Sequence, residues 1–199
     1  YHEDMNIMTL GDGVGTGLTA YNVKGYSYND YLKDYYEKNS ILKEYITEFS
    51  NAEETTETLI LKLQNNYTLE STGLSITQAI SKAKILTVSI GMNELSHKME
   101  IETEEIETYI NNIEKIFKLL RIYNKKEIFL TSLYETSFLN NTKVTEINNR
   151  LKQLCDTYQV HYIDITDILK NKEYIFNNTS FYFNYRGHRY ISEEILKHL

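Results

Sequence analysis

The sequence predicts an α/β protein, a three-layer sandwich in which helices cover both faces of a five-stranded parallel sheet. Short apolar runs alternate with amphipathic segments along the chain, a pattern typical of repeated strand–helix units. Residues 85–90 (ILTVSI) are too apolar for a half-exposed strand, which indicates a parallel strand buried on both faces. The residues after position 103 repeat apolar side chains at 4-3-4-3 spacing, which predicts one buried helix face: Ile106, Ile110, Ile113, Phe117 and Leu120.

The other elements follow the same two periodicities. Strands are predicted at residues 6–10, 42–49, 85–90, 127–133 and 160–163. Helices are predicted at residues 28–38, 75–83 and 187–199. Two further helices are expected to begin at caps, one at Thr55 or Thr56 and one at Thr103. Another is expected around four apolar residues, Val144, Ile147, Leu151 and Leu154. Ligands of such sheets bind beyond the carboxyl ends of the strands. We therefore expect a site at the turns that follow Leu10, Phe49, Ile90 and Leu133.

Length, charge and cysteine content exclude several classes of protein. The 199 residues fit one domain spanning residues 1–199. The net charge of −7 disfavours a nucleic-acid partner, because phosphate binding requires clustered Lys and Arg. Cys155, the one cysteine, lies in a helical pattern and is predicted to be a small buried residue. No apolar run reaches the roughly 18 residues of a transmembrane helix.

The turn after the first strand contains closely spaced glycines, in Leu10-Gly11-Asp12-Gly13-Val14-Gly15-Thr16-Gly17. A phosphate-binding loop would need Gly-Lys-Ser/Thr at its end, and a dinucleotide fingerprint would need a helix to start at once. The turn has no Gly-Lys-Ser/Thr ending, and residues 18–27 intervene before the next helix. The turn therefore predicts no nucleotide site.

Three blocks of the chain together resemble the SGNH/GDSL hydrolases, and most closely their small single-domain bacterial lipase/acylhydrolase branch. The turn at residues 11–15 is similar to the first family block, Gly-Asp-Ser followed shortly by Gly. Residues 91–94 (GMNE) are similar to the Gly-x-Asn-Asp block, and residues 183–188 (FNYRGH) to the stretch before the last helix. The blocks occur in the family's order over essentially the whole chain. The resemblance implies a flavodoxin-like strand order, the SGNH hydrolase fold.

Carried over residue by residue, the resemblance also implies that the catalytic triad is lost. Gly13 stands at the position of the nucleophilic Ser, Tyr182 at that of the His base, and Thr179 at that of the orienting Asp. A nucleophile is inert without a base to take its proton. A further family block lies between the first block and Gly-x-Asn-Asp, and a Gly of that block would contribute to the oxyanion hole. Its position falls near Glu53 in residues 51–56, where the spacing leaves the alignment open. Gly91 and Asn93, in contrast, are retained. The sequence thus predicts a pseudoenzyme with three vestigial triad positions.

We expect ligand contacts from Asp12, Gly13, Gly91, Asn93 and Tyr182, with Asn93 offering two amide donors. The predicted ligand is a small neutral acyl or glycan group, or a side chain of a protein partner. No cofactor is expected, and no metal, since Asp12, Glu53, Glu94 and His97 lack metal-site spacing. In an alternative interpretation, Phe181 and Tyr182 turn inward and close the groove.

Two further alternatives stay open. The chain is an active esterase if Thr16, Thr19 or Ser27 acts as nucleophile, or it is a purely structural surface protein. His188 is predicted to pack or cap in the last helix rather than to serve as a base. The start at Tyr1 close to the first strand, with the resemblance, favours an extracytoplasmic, membrane-tethered or free protein preceded by a signal or anchor. A cytoplasmic location is the alternative.

Overall fold

The centre of the molecule is a five-stranded parallel sheet. The computed structural model describes residues 4–21, 23–39, 41–96, 100–137, 139, 141–176 and 181–199. The strands are β1 (Met5–Gly11), β2 (Leu42–Ile46), β3 (Ile85–Ser89), β4 (Glu127–Thr131) and β5 (His161–Ile163). All neighbouring strands are parallel, in the order β2-β1-β3-β4-β5. The predicted fold class and flavodoxin-like order are confirmed.

Helices form the two outer layers. They are α1 (Tyr28–Lys38), α2 (Thr56–Gln64), α3 (Ile76–Lys82), α4 (Met92–Leu95), α5 (Thr103–Tyr123), α6 (Asn141–Tyr158) and α7 (Tyr185–Leu196). α1 packs against α7, whereas α2, α3 and α6 pack against α5. This separation of helices is what right-handed crossovers on a parallel sheet produce. None of the helices in the described ranges is long and apolar enough to cross a bilayer.

The second strand is shorter than the sequence pattern predicts. It was expected to continue to Phe49, but β2 ends at Ile46, the partner of Met8 in β1 and the last paired residue. The chain then turns away, and Phe49 is buried in the core rather than extended along the sheet. An apolar residue that follows a strand was therefore mistaken for part of it.

Side chains cap the starts of several helices, and the sequence identified some of these caps correctly. Ser27 precedes α1, and its hydroxyl accepts the backbone N–H of Asp30. Thr55 caps α2 as predicted. Thr103 is the first residue of α5 rather than its cap, since no side chain caps that helix. Such side-chain caps satisfy backbone donors that the first turn leaves unpaired.

The last helix begins two residues before the predicted start. The side chain of Asn184 accepts the backbone N–H groups of Arg186 and Gly187, which fixes the start of α7 at Tyr185.

Elsewhere in the core, Cys155 is buried in α6 as predicted, and burial raises the pKa of its thiol to about 12.

A buried polar network holds α1 and the glycine turn against the sheet. The side-chain amide of Asn29 donates to the Gly15 carbonyl at 2.8 Å. The Thr87 hydroxyl, on the central strand β3, lies 2.7 Å from Asn29 Oδ1 and 2.9 Å from the Thr9 hydroxyl on β1. Since Asn29 is fully buried, each of these polar atoms depends on the others for its hydrogen bonds.

We predict that Asn29→Ala lowers the free energy of unfolding by about 1–3 kcal/mol, because it leaves the Gly15 carbonyl without its donor in a buried place. Asn39→Ala is the matched control, since Asn39 follows the same helix and its exposed amide donates to the Tyr35 carbonyl. The control should change stability by less than roughly 0.5 kcal/mol. Urea unfolding measures both, and equal effects would contradict a structural role for the network.

Candidate functional site

The turn after β1 is fixed by its close approach to β3. Gly11 has a φ of +115°, and a Cβ there would lie 2.0 Å from the Ser89 carbonyl oxygen. The backbone N–H of Asp12 donates to that same oxygen at 2.8 Å. The Gly11 carbonyl accepts the backbone N–H of Asn51, at 3.0 Å. Three loops therefore meet at the carboxyl end of β1, as the position of ligand sites in such sheets predicts.

The place of a side chain at residue 13 is occupied by Leu18. Gly13 is buried, and a Cβ built on it would lie 2.7 Å from both the Cβ and the Cδ2 of Leu18. Real Cβ atoms do not approach other carbon atoms so closely, since carbon contacts are optimal at about 3.5–4.0 Å. The turn is thus packed for glycine and has no room for a larger residue unless Leu18 moves.

Asp12 is a buried carboxyl group with one oxygen left without a partner. Its Oδ1 accepts the backbone N–H of Val14 at 3.0 Å and so caps the 3-10 turn at residues 13–16. Its Oδ2 is buried and receives no hydrogen bond within the described part of the chain. Burial, together with the smaller effect of the charges of Glu94 and Glu54, raises the pKa of this carboxyl to about 7 despite the lowering effect of the Val14 N–H. Asp12 can therefore accept a hydrogen bond from a ligand, and it titrates near neutral pH.

The amide of Asn93 is engaged within the protein, in contrast to the expectation that its donors face a ligand. Its Nδ2 donates to the carbonyls of Ala52 at 2.9 Å and Glu54 at 2.8 Å. Glu53 is exposed, with its backbone N–H bonded to the Asn51 side chain, and Ala52 lines the cavity in its place. Asn93 thus ties the loop after β2 to α4, and the expected pair of free donors is not found.

Gly91 and Glu94 contact two neighbouring helices, α5 and α2. Gly91 has a φ of +121°, and a Cβ there would lie 2.5 Å from the hydroxyl of Tyr109. The carboxylate of Glu94 accepts the backbone N–H and the hydroxyl of Thr56, at 2.9 and 2.7 Å, at the start of α2. Both residues therefore have structural roles. The predicted contact of Gly91 with a ligand stays a prediction.

A small cavity lies beside Asp12 and Gly13 and has mainly aromatic and apolar walls. Its volume is about 50 Å³, against roughly 300–1,000 Å³ for typical ligand pockets. The described residues that line it are Asp12, Gly13, Val14, Leu18, Ala52, Met92, Asn93, Tyr134, Phe181, Tyr182, Phe183 and His188. The fold therefore brings together Asp12, Gly13, Asn93 and Tyr182, as predicted. The rings of residues 181–183 narrow the cavity without filling it.

His188 is buried and held by contacts within the domain. Its Nδ1 accepts the backbone N–H of Tyr28 at 3.1 Å, and its ring packs on Phe183 with 4.5 Å between the ring centroids. Burial lowers the pKa of His188 to about 3, so the imidazole is neutral. The hydrogen bond uses the nitrogen that would accept a proton, and this agrees with the predicted packing role.

Other predicted positions are less informative. Thr179 and His97 lie outside the described residues. Within the described ranges, no group of three or more His, Cys, Asp or Glu side chains is placed to hold a metal ion.

Sequence reasoning missed Tyr134, which follows β4 and has a fully buried ring. The only signal for it was its place directly after a predicted strand, at the edge where ligands bind.

The fold and this cavity define a three-layer α/β protein whose candidate site lies at the carboxyl edge of the parallel sheet. The family model described as GDSL-like lipase/acylhydrolase matches residues 7–195. The chain therefore belongs to the GDSL-like lipase/acylhydrolase family. No curated protein matches the sequence.

Solved structures of hydrolases share the fold at low sequence identity. A lipase/acylhydrolase from Enterococcus faecalis is 14% identical with a TM-score of 0.69, over 98% of this chain and 95% of that one. An extracellular lipase from Streptomyces rimosus is 10% identical with a TM-score of 0.68, over 97% and 99%. An acetyl xylan esterase is 13% identical with a TM-score of 0.69, over 98% and 100%. At these identities the likeness shows the fold alone.

We predict that the Asp12 carboxyl makes stability fall as the pH rises from about 4 to about 7. Its pKa is about 7 in the folded protein against an ordinary value of 3.8. Because the folded state holds this proton more tightly, stability is lost by up to about 1.4 kcal/mol per pH unit across that window. Asp12→Asn keeps an oxygen for the Val14 N–H and removes the titration. In urea unfolding at several pH values, the free energy of unfolding of the variant should increase relative to that of the native protein up to about pH 7. A difference that does not change with pH would refute the raised pKa of Asp12.

A second prediction concerns Asn93. Asn93→Ala removes two donors from the carbonyls of Ala52 and Glu54 and should lower the free energy of unfolding by about 1–3 kcal/mol. Asn112→Ala is the control, because Asn112 makes one half-buried bond to the Thr56 hydroxyl and should cost less. Thermal and urea unfolding compare the two variants. A stability unchanged by Asn93→Ala would mean that its amide is available to a ligand after all.

Proposed function

We propose that this chain is a catalytically inactive member of its family that acts by binding a ligand at the cavity beside Gly13. The observation that carries the proposal is the packing of Leu18 into the place of a residue-13 side chain. An acyl-transfer nucleophile needs both a reactive side chain and a neighbouring base. Gly13 supplies no such atom, and Tyr182 stands where the resemblance puts the base.

The alternative nucleophiles have structural roles. The hydroxyl of Thr16 donates to the Gly13 carbonyl and that of Thr19 to the Val23 carbonyl, closing their own turns. The hydroxyl of Ser27 caps α1 and is buried. The nearby His188 has a lowered pKa and a ring nitrogen already used as an acceptor. These contacts support an inactive site over an unrecognised esterase.

A ligand would enter as one small group attached to a larger body. The cavity of about 50 Å³ holds a few water molecules or a group of acetyl size. A neighbouring groove of about 410 Å³ shares Phe183 and His188 with it and is also lined by Tyr26 and Tyr185. The resemblance suggests an acyl or glycan ligand, and a side chain of a protein partner suits the same space. A purely structural role would leave the cavity without a ligand.

The absence of catalysis can be tested with short p-nitrophenyl esters and a fluorophosphonate probe. We expect no turnover and no labelling for the native chain. The triple variant Gly13→Ser/Thr179→Asp/Tyr182→His should also stay inactive, because Leu18 blocks the new serine. Adding Leu18→Gly to the triple variant removes that block and is the matched comparison. Native turnover near about 1 s⁻¹ or above, in the usual enzyme range, would overturn the proposal.

A further inference from the structure

The cavity beside Gly13 presents a hydrogen-bond acceptor where a hydrolase of this fold would present donors. The one side-chain amide among the described residues that line it, that of Asn93, donates to two backbone carbonyls. The carboxyl of Asp12 has a buried Oδ2 with no partner in the described ranges. A ligand carbonyl would meet this acceptor with no side-chain amide left to bind it. A ligand that donates hydrogen bonds would complete the site.

The charges around the cavity favour a cation among such donors. The described residues that line it include Asp12 and no Lys or Arg. Glu94 and Glu54 lie close enough to Asp12 for their charges to act on it. Lys62 lies 2.7 Å from the carboxylate of Glu54 and forms an ion pair with it. His188 is neutral because burial lowers its pKa to about 3.

The walls of the cavity are also suited to a small organic cation. The ring centroids of Tyr134 and Phe183 are 5.5 Å apart, those of Tyr134 and Phe181 6.3 Å, and those of Phe181 and Tyr182 4.9 Å, all edge to face. Aromatic faces attract ammonium groups, and more strongly when water is excluded. The volume of about 50 Å³ accepts an ammonium group with the adjoining carbon, while the neighbouring groove can hold the rest of the ligand.

We propose that this cavity recognises the ammonium group of a primary alkylamine, through the unpartnered oxygen of Asp12 and the rings of Tyr134, Phe181 and Tyr182. The inference rests on the proposed function, because it requires that the cavity bind a ligand, and it replaces the neutral group expected from the sequence by a cationic one. A lysine side chain of a partner and a free amine share this chemistry.

The test uses n-butylammonium chloride and its neutral analogue n-butanol as probes on the intact chain. Binding is followed by NMR titration and by the rise in Tm that a ligand of the folded state produces. We expect n-butylammonium to bind at least tenfold more tightly than n-butanol. Asp12→Asn should remove that preference. Asp164→Asn is the matched control, since Asp164 also follows a strand and accepts a backbone N–H two residues on, at Thr166, but is exposed.

A second variant and a pH series keep the proposal testable if Asp12→Asn unfolds. Phe181→Leu removes one ring of the wall and should weaken n-butylammonium severalfold, with less effect on n-butanol. The affinity for n-butylammonium should also fall about tenfold per pH unit below pH 7, as Asp12 takes up its proton. Among the described residues, charge interactions couple Asp12 to Glu54, Glu94, Tyr28, Tyr109 and Tyr134. Burial raises the pKa of each of the three tyrosines, so they do not titrate in this range. His188 and Tyr182 line the same cavity, and His188 stays neutral because burial lowers its pKa to about 3.

The outcomes separate the two proposals. Equal affinity for both probes, unaffected by Asp12→Asn, would overturn ammonium recognition and leave a neutral ligand in place. Binding of n-butanol alone would do the same. If neither probe binds, and acetamide and N-acetylglucosamine do not bind either, both the ammonium proposal and the binding function fail. The preference for n-butylammonium, lost in Asp12→Asn and kept in Asp164→Asn, would support both.

Discussion

The passage of the chain across the end of β3 is the constraint on which the site depends. A Cβ on Gly11 would lie 2.0 Å from the Ser89 carbonyl, so only glycine permits this approach. The approach allows Asp12 to bond Ser89 and Gly11 to bond Asn51 through their backbones. With the Asp12 backbone held there, one carboxylate oxygen caps the next turn at Val14. The other is buried without a partner among the described residues, and Asp12 is one of the residues that line the cavity. The acceptor in the cavity is therefore a consequence of backbone geometry at the strand end.

The packing at residue 13 supports the proposed absence of a nucleophile. Leu18 packs into the space that a side chain of residue 13 would occupy, so the turn has no room for a larger residue unless Leu18 moves. The amide of Asn93 likewise bonds the carbonyls of Ala52 and Glu54. Since buried polar groups require partners, this bonding consumes the donors that an oxyanion would need. The positions that the proposed inactive site assigns to the nucleophile and to the amide donor are thus both part of the internal packing of the domain.

The sequence predicted the fold well because its signals are local. A continuous apolar run and a 4-3-4-3 stripe specify a buried strand and a helix face without knowledge of any other element. The position of Asn93 was also predictable, from the motif, but its hydrogen bonds were not. They depend on carbonyls about forty residues earlier, and the spacing of residues 51–56 left their alignment open. For the same reason Glu53 was placed at the site, whereas Ala52 lines it.

The strand and helix ends show the same limit on a smaller scale. β2 ends where its pairing with β1 ends, and Phe49 then enters the core, which an apolar pattern alone cannot distinguish from strand continuation. Leu18 and Tyr134 come from loops, where periodicity gives no signal, and their importance appears only when the loops are brought together at the sheet edge. Sequence therefore located the edge at which the site lies, and packing determined its chemistry.

The energetics of Asp12 argue against a purely structural role for the cavity. Asparagine at this position would retain an oxygen for the Val14 N–H, and it would avoid the cost of a buried ionised carboxyl group. Burial disfavours the ionised form of such a group and raises its pKa to about 7, although Oδ1 accepts the Val14 N–H. A donor from outside the domain would supply the missing partner at Oδ2 and, if cationic, would stabilise the ionised form. An oxygen that is buried without a donor inside the domain therefore supports the proposed binding role of the cavity.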